Sequence, residues 1–150
     1  MHYVEAVDEY VFPPSYDNKS LFLAGGITGC SDWQAEMVEK LSETDLTLLN
    51  PRRKDFPIDD PSAAREQITW EWHHLQSAKA ISFWFAKETT QPIVLFELGK
   101  WLVHGKKIFI GIDPEYPRRQ DVEIQTGLEL MIEIVYSIDE LAEQVKNSKL

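Results

Sequence analysis

The chain has 150 residues, enough for one domain with a sizeable core, and 43% of them are apolar, an ordinary share for a folded globular protein. Its net charge of −10 argues against a nucleic acid polymer as partner, because polyanion binders carry a basic face, whereas a small nucleoside needs only a local pocket. The lone Cys30 excludes an intramolecular disulfide, the polar Met1–Ser20 stretch with Pro13-Pro14 is unlike a signal peptide, and no apolar run could span a bilayer, so a cytoplasmic protein with no membrane partner is expected.

Residues 1–19 read as an N-terminal arm or an edge element ahead of a single domain over 20–150. Leu21–Ala24 is a short apolar run ending in Gly25-Gly26, a buried strand followed by a Gly-rich turn. Asp32–Leu41 reads as a helix capped by Asp32, with Trp33, Met37, Val38 and Leu41 on one face. Leu46–Leu49 is a second strand, stopped by Asn50-Pro51, and a polar, proline-rich loop runs over Arg52–Pro61. Ser62–Ser77 predicts a helix capped by Ser62, with Ile68, Trp72 and Leu75 sharing a face. Ala80–Phe85 is a third strand, Pro92–His104 a helix opened by proline, and Lys107–Ile112 a fourth strand. A loop over Asp113–Arg119, a helix over Gln120–Leu130 and a fifth strand over Ile132–Tyr136 follow. Ser137–Val145 closes the chain as a helix with Ser137 and Glu140 in capping-box spacing.

Strands alternating with helices predict a parallel sheet covered on both faces, and five strands fit the flavodoxin-like (Rossmann-like) three-layer α/β/α order 2-1-3-4-5. Ligands of such sheets bind outside the carboxyl ends of the strands, where the strand order reverses. Here that point lies between the first and third strands, at the loops Gly25–Asp32 and Ala86–Pro92. The loops Asn50–Asp60 and Asp113–Arg119 flank the same edge.

One residue of that edge stands out. Glu97 interrupts the apolar run Ile93-Val94-Leu95-Phe96-Glu97-Leu98-Gly99, shortly after Pro92. Carboxylates are rarely held in apolar surroundings without a partner or a task, which makes Glu97 the candidate catalytic residue. Its apolar flank would raise its pKa and the nearby helix N-terminus would lower it. Arg52 and Arg53 could hold a hydroxyl or a phosphate, or simply pair with Asp55, Asp59 or Asp60. Arg118-Arg119 could clamp its loop or touch a ligand. His73-His74 has no further His or Cys at metal spacing, so no metal is expected. Gly25-Gly26-Ile27-Thr28-Gly29 lacks the Lys-Ser/Thr ending of a Walker loop and the spacing of a dinucleotide fingerprint. The tryptophans read mostly as core, with Trp70, Trp72 and Trp84 the ones that could stack on a base. Cys30 has no activating base and reads as inert.

At these residues the chain resembles the nucleoside 2-deoxyribosyltransferase-like family. The matching stretches are Leu21-Phe-Leu-Ala-Gly-Gly-Ile-Thr-Gly29, Leu48-Leu-Asn-Pro-Arg-Arg53, Trp70-Glu-Trp72 with Leu75, Phe83-Trp-Phe85, Pro92 through Gly99, and Arg118-Arg-Gln-Asp121, which together span most of 20–145. The resemblance implies that Glu97, just before Leu98-Gly99, is the nucleophile, and that Glu71 binds the base. It implies that the first strand and its turn, with Ala24, Gly25, Gly26 and Thr28, border the nucleoside. Gln91 stands where typical members have an aspartate, followed by Pro92-Ile93 instead of a Gly-rich turn, and Lys79 stands where they have an aspartate ahead of the third strand. Gln91 joins Arg52 and Arg53 among the substrate-binding candidates. Glu71 is also the natural donor or acceptor for the leaving base, a catalytic role beside Glu97, and Asp60, with Asp59, is a weaker candidate from the loop. The family implies self-association as a homo-oligomer, and no cofactor is expected.

The chemistry suits these residue types. Breaking an N-glycosidic bond builds positive charge on the sugar, which a carboxylate beneath C1′ can stabilise or trap covalently, as in retaining glycosidases. Transfer to a second base, or to water, completes the reaction, while the leaving base needs a proton. Two other readings share the fold: a non-catalytic nucleoside- or nucleotide-binding module, and a phosphoacceptor receiver domain. The receiver fits poorly, since the first strand ends in Ala24-Gly25-Gly26 without an acidic cluster.

Overall fold

The structure, a computed structural model, describes residues 1–150. Its elements in chain order are β1 (His2–Glu5), β2 (Ser20–Gly25), α1 (Trp33–Lys40), β3 (Thr47–Asn50), α2 (Ala63–Ser77), β4 (Ala80–Phe85), α3 (Pro92–Leu102), β5 (Lys107–Ile112), α4 (Arg119–Glu129), β6 (Ile134–Val135) and α5 (Ile138–Lys146). All six strands are parallel, in the order β1-β3-β2-β4-β5-β6. The fold is a flavodoxin-like three-layer α/β/α sandwich, and the last five strands keep the expected order. The strand count is corrected from five to six: His2–Glu5 pairs with Thr47–Asn50 along the free side of β3. Only Val4 of this strand is buried, so the apolar signal of an edge strand was almost absent from the sequence.

Side chains alternate across the sheet and divide the core in two. Along β4, Ile81, Phe83 and Phe85 meet α2, α3 and α4 through Trp70, Leu98, Trp101 and Val122. Ala80 and Trp84 face α1 and α5 through Trp33, Met37, Leu141 and Val145.

The caps explain several boundaries. Asp32 accepts from the Ala35 N–H at 3.0 Å and opens α1, whose Trp33, Met37 and Leu41 are fully buried. Ser137 Oγ accepts from the Glu140 N–H at 3.2 Å, and the Glu140 carboxylate returns to the Tyr136 N–H at 3.0 Å, a capping box displaced by one residue. The α2 expectations are corrected twice. Ser62 does not cap the helix; its N–H and hydroxyl both donate to Asp60, at 2.8 and 2.7 Å. Ile68 and Trp72 are exposed, and the buried face carries Ala63, Trp70, His74 and Leu75. The arm decides this orientation, because Trp70 donates its indole N–H to Asp8 O at 2.8 Å and stacks on His74, against which Phe12 packs. The last strand is two residues long rather than the five of Ile132–Tyr136. No helix is long and apolar enough to cross a membrane.

Candidate functional site

The chain leaves β2 toward α1 on one face and leaves β4 toward α3 on the other, so a crevice opens between the two adjacent strand ends. The glycines make the β2 turn tight enough to floor it. A Cβ on Gly25 would lie 2.6 Å from Trp84 O and collide with the Trp33 indole. On Gly26 it would lie 2.5 Å from Cys30 Sγ and 2.7 Å from Gln91 Cδ. Trp33 fastens this turn by donating its indole N–H to Gly26 O at 3.0 Å.

Above the turn lies a cleft of about 370 Å³, within the range that holds small organic ligands. Phe22, Ala24, Gly25, Gly26, Ile27 and Thr28 line one side, Pro51 and Glu71 another, and Thr89–Val94 with Glu97 the third. Its only ionisable side chains are the two glutamates. The structure therefore brings together seven of the residues named from sequence: Glu97, Glu71, Ala24, Gly25, Gly26, Thr28 and Gln91.

Glu97 is the sixth residue of α3, past the first turn where the helix dipole acts most strongly. Burial dominates and pushes its carboxyl up to about 8, the negative charge of Glu71 adds to the rise, and Lys100 opposes it. Burial also raises Glu71, countered by a hydrogen bond from Gln67 Nε2 to Glu71 Oε1 at 2.7 Å. Two acids thus face one cleft, and each carboxyl is held above its ordinary range.

Gln91 caps α3 from the left-handed region, at φ 49°, the only non-glycine residue with positive φ. Its Nε2 donates to Ala86 O at 2.6 Å and Thr89 O at 3.4 Å, while its buried Oε1 has no partner. Tyr116 donates its hydroxyl to Thr90 O at 2.7 Å, and burial raises its pKa to about 12, so it remains a donor. These bonds hold the 86–91 loop against the cleft.

The other candidates lie elsewhere. Arg52 reaches across the back of the β2 turn: Nη2 donates to Ser31 O at 2.9 Å, Gly26 O at 3.3 Å and Cys30 O at 3.4 Å, while Nε meets Gln34 Oε1 at 2.9 Å and the Asp32 carboxylate at 3.3 Å. Arg53 sits 3.5 Å from the Glu66 carboxylate, with its guanidinium over the Phe56 ring. Both line a separate hollow with Tyr3, Glu5, Asn50 and Lys54. Asp60 stands exposed in the turn before α2, its carboxyl held low by the Ser62 hydrogen bonds. Arg118 pairs with Asp121 at 3.1 Å, and Arg119 donates to Pro114 O at 3.0 Å, a clamp on their own loop. No tryptophan lines the cleft. No group of three or more His, Cys, Asp or Glu side chains converges as a metal ion would require.

Sequence reasoning passed over Gln67, Thr89 and Thr90. Gln67 had a readable signal, since it stands four residues before Glu71 on one helix face. Thr89 and Thr90 fell inside a loop singled out by topology, but a threonine pair carries no chemical signature of its own.

Compared with known proteins, residues 18–116 match the family model described as nucleoside 2-deoxyribosyltransferase like, a span that contains every residue lining the cleft. A crystal structure of a conserved protein from Enterococcus faecalis V583 superposes with a TM-score of 0.63, covering 86% of this chain and 98% of that one at 16% identity, a likeness of fold alone. No curated protein matches the chain in sequence.

Proposed function

The chain belongs to the nucleoside 2-deoxyribosyltransferase-like family, and from that premise we propose that it cleaves or transfers at the N-glycosidic bond of a 2′-deoxynucleoside, with Glu97 as nucleophile. One observation carries this reading: Glu97 and Glu71 are the only ionisable groups of a nucleoside-sized cleft at the point where the strand order reverses.

The reaction balances with one proton held between the two acids. A Glu97 carboxylate oxygen bonds to C1′ as the C1′–N bond breaks. The bonding pair goes to the base nitrogen, which takes its proton from Glu71. The resulting deoxyribosyl ester is opened by the nitrogen of an acceptor base, or by water, and Glu71 takes up the proton released. Ala24, Gly25, Gly26 and Thr28 would floor the sugar, and the unpartnered Gln91 Oε1 would accept from one of its hydroxyls. A neutral nucleoside fits these walls better than a 5′-monophosphate, because the cleft has no cation and Arg52 is committed to backbone carbonyls. Asp60, exposed in its turn, is the weakest member of the set.

The test is chromatography of deoxynucleosides and deoxynucleotides incubated with and without an acceptor base, on the parent and on Glu97→Gln. Base release or exchange by the parent alone supports the reading; equal turnover by both proteins removes Glu97 as nucleophile. A binding module without turnover is the second reading. It is favoured by the carboxyl at about 8, which keeps Glu97 mostly uncharged at neutral pH. Tight nucleoside binding by calorimetry with no base release would establish it. The homo-oligomer implied by the family is part of the same proposal, as is the cytoplasmic location expected from the lone cysteine. Its support is the exposed apolar set Ile68, Trp72, Ile93 and Phe96 on α2 and α3, and light scattering measures it.

A further inference from the structure

Gln67 makes two short hydrogen bonds through a single nitrogen. Nε2 donates to Pro51 O at 2.6 Å and to Glu71 Oε1 at 2.7 Å. The amide orientation is fixed by chemistry, since a backbone carbonyl can only accept and Nε2 must therefore face Pro51. The same nitrogen then meets Glu71, one helical turn further along α2. Pro51 is the first residue after β3 and itself lines the cleft. Gln67 therefore links the strand end, the cleft wall and the acid. Its own Oε1 is buried without a partner, a cost the fold accepts in keeping this orientation.

The consequence falls on Glu71. A protonated carboxyl accepts best through its carbonyl oxygen, so the amide N–H on Oε1 favours a Glu71 proton on Oε2, which has no protein partner. We propose that Gln67 is a positioning residue: it pins Oε1 of Glu71 to the β3–α2 loop and so presents Oε2 as the oxygen that exchanges a proton with the base. This inference rests on the glycosyl-transfer reading above. Its physical basis is the usual one for a supporting residue that fixes the geometry and protonation of the group in contact with substrate.

The charged groups facing Glu71 are few. Glu97 stands on α3, with Lys100 acting on Glu97, while the loops from β2 and β4 offer only Thr28, Thr89, Thr90 and Gln91. The Gln67 bond lowers the Glu71 carboxyl against the rise caused by burial. Gln67→Met keeps the length of the side chain and loses the donor, so Glu71 then ionises at higher pH.

Two measurements test the proposal. The first is a double-mutant cycle with Gln67→Met and Glu71→Gln on deoxynucleoside cleavage. We expect Gln67→Met to lower kcat about tenfold, to move the acid limb of the pH profile upward, and to have less than a twofold effect in the Glu71→Gln background. An equal loss in both backgrounds overturns the proposal. The second is a carbon-13 titration of the Glu71 carboxyl in the parent, Gln67→Met and Gln67→Leu, assigned by its absence from Glu71→Gln. An upward-shifted midpoint in either neutral Gln67 variant supports the link, and an unchanged midpoint in both overturns it. Absence of turnover in the parent would sink the proposed activity and leave the titration to decide on Gln67.

Discussion

The two sides of the Gly25–Gly29 turn carry opposite chemistry. Behind it, Arg52 spends its guanidinium on three carbonyls, a glutamine and an aspartate, and the Arg53 charge is answered by Glu66 at 3.5 Å although its buried Nη1 makes no hydrogen bond. In front of it, Glu97 and Glu71 are held above their ordinary range and Gln91 Oε1 goes unpartnered. A charged group answered by its own protein is a strut; one left unanswered in a concavity is available to a ligand. The difference separates residues that looked alike in the sequence.

Substitutions on each side should therefore fail differently. The largest effect is expected from Glu97→Gln, which removes the proposed nucleophile. Deoxynucleoside turnover should fall at least about a thousandfold, the scale on which removal of a nucleophile is felt. Arg53→Ala should leave KM within about twofold. A loss with Arg53→Ala as deep as that with Glu97→Gln would erase the contrast, and steady-state kinetics on both reads it.

Next comes the strut. Arg52→Ala leaves Cys30 O and the buried Gln34 Oε1 without a donor, while Gly26 O and Ser31 O keep their bonds from Trp33, and acceptors buried without partners are costly. We expect about 2–3 kcal/mol of lost stability by urea unfolding. A neutral result would mean that Arg52 is free for another role.

The sequence made some of this legible and concealed the rest for identifiable reasons. Continuous apolar runs such as Ala80–Phe85 announced strands buried on both faces, and Asp32 announced a cap, because both signals are local. The faces of α2 were not readable, because the arm through Asp8 and Phe12 chose Trp70 and His74 as the buried pair, a contact about 62 residues apart in sequence. β1 hid for the same reason: its partner β3 lies some 45 residues away, and only Val4 enters the core. Glu97 was visible as a charge in an oily run. That burial would outweigh the helix dipole needed its depth along α3 and the facing charge of Glu71.

A smaller effect separates the two roles of Glu97. Its carboxyl ionises near 4.5 in an ordinary setting and at about 8 in the fold. Between those values the folded state holds more protons than the unfolded state, so stability falls as pH rises across that window, and the whole cost is present above it. Glutamine is uncharged at every pH. Glu97→Gln should therefore gain about 2 kcal/mol at pH 9, or about 5 °C in Tm, and match the parent at pH 5. A loss of stability at pH 9 would show that the ionised carboxylate is well solvated.

The smallest effect is a shift in pH dependence, and it is the sharpest test of the pair. If Glu71 must hold a proton while Glu97 is ionised, the active form is the pair carrying one proton. kcat/KM should then rise at acid pH and fall as the last proton leaves, at about 8. Glu71→Gln removes the proton donor and, with it, the negative charge that raises Glu97. The surviving activity is lower and depends on Glu97 alone. It should increase with pH through a midpoint below 8, because burial still lifts Glu97 while the repulsion is gone. The alkaline limb thus changes sign rather than merely moving. A parent profile that climbs through pH 8 would assign the proton to another donor and leave Glu71 as a hydrogen-bond acceptor for the base. A descending limb that survives Glu71→Gln would place the titrating group outside the pair altogether.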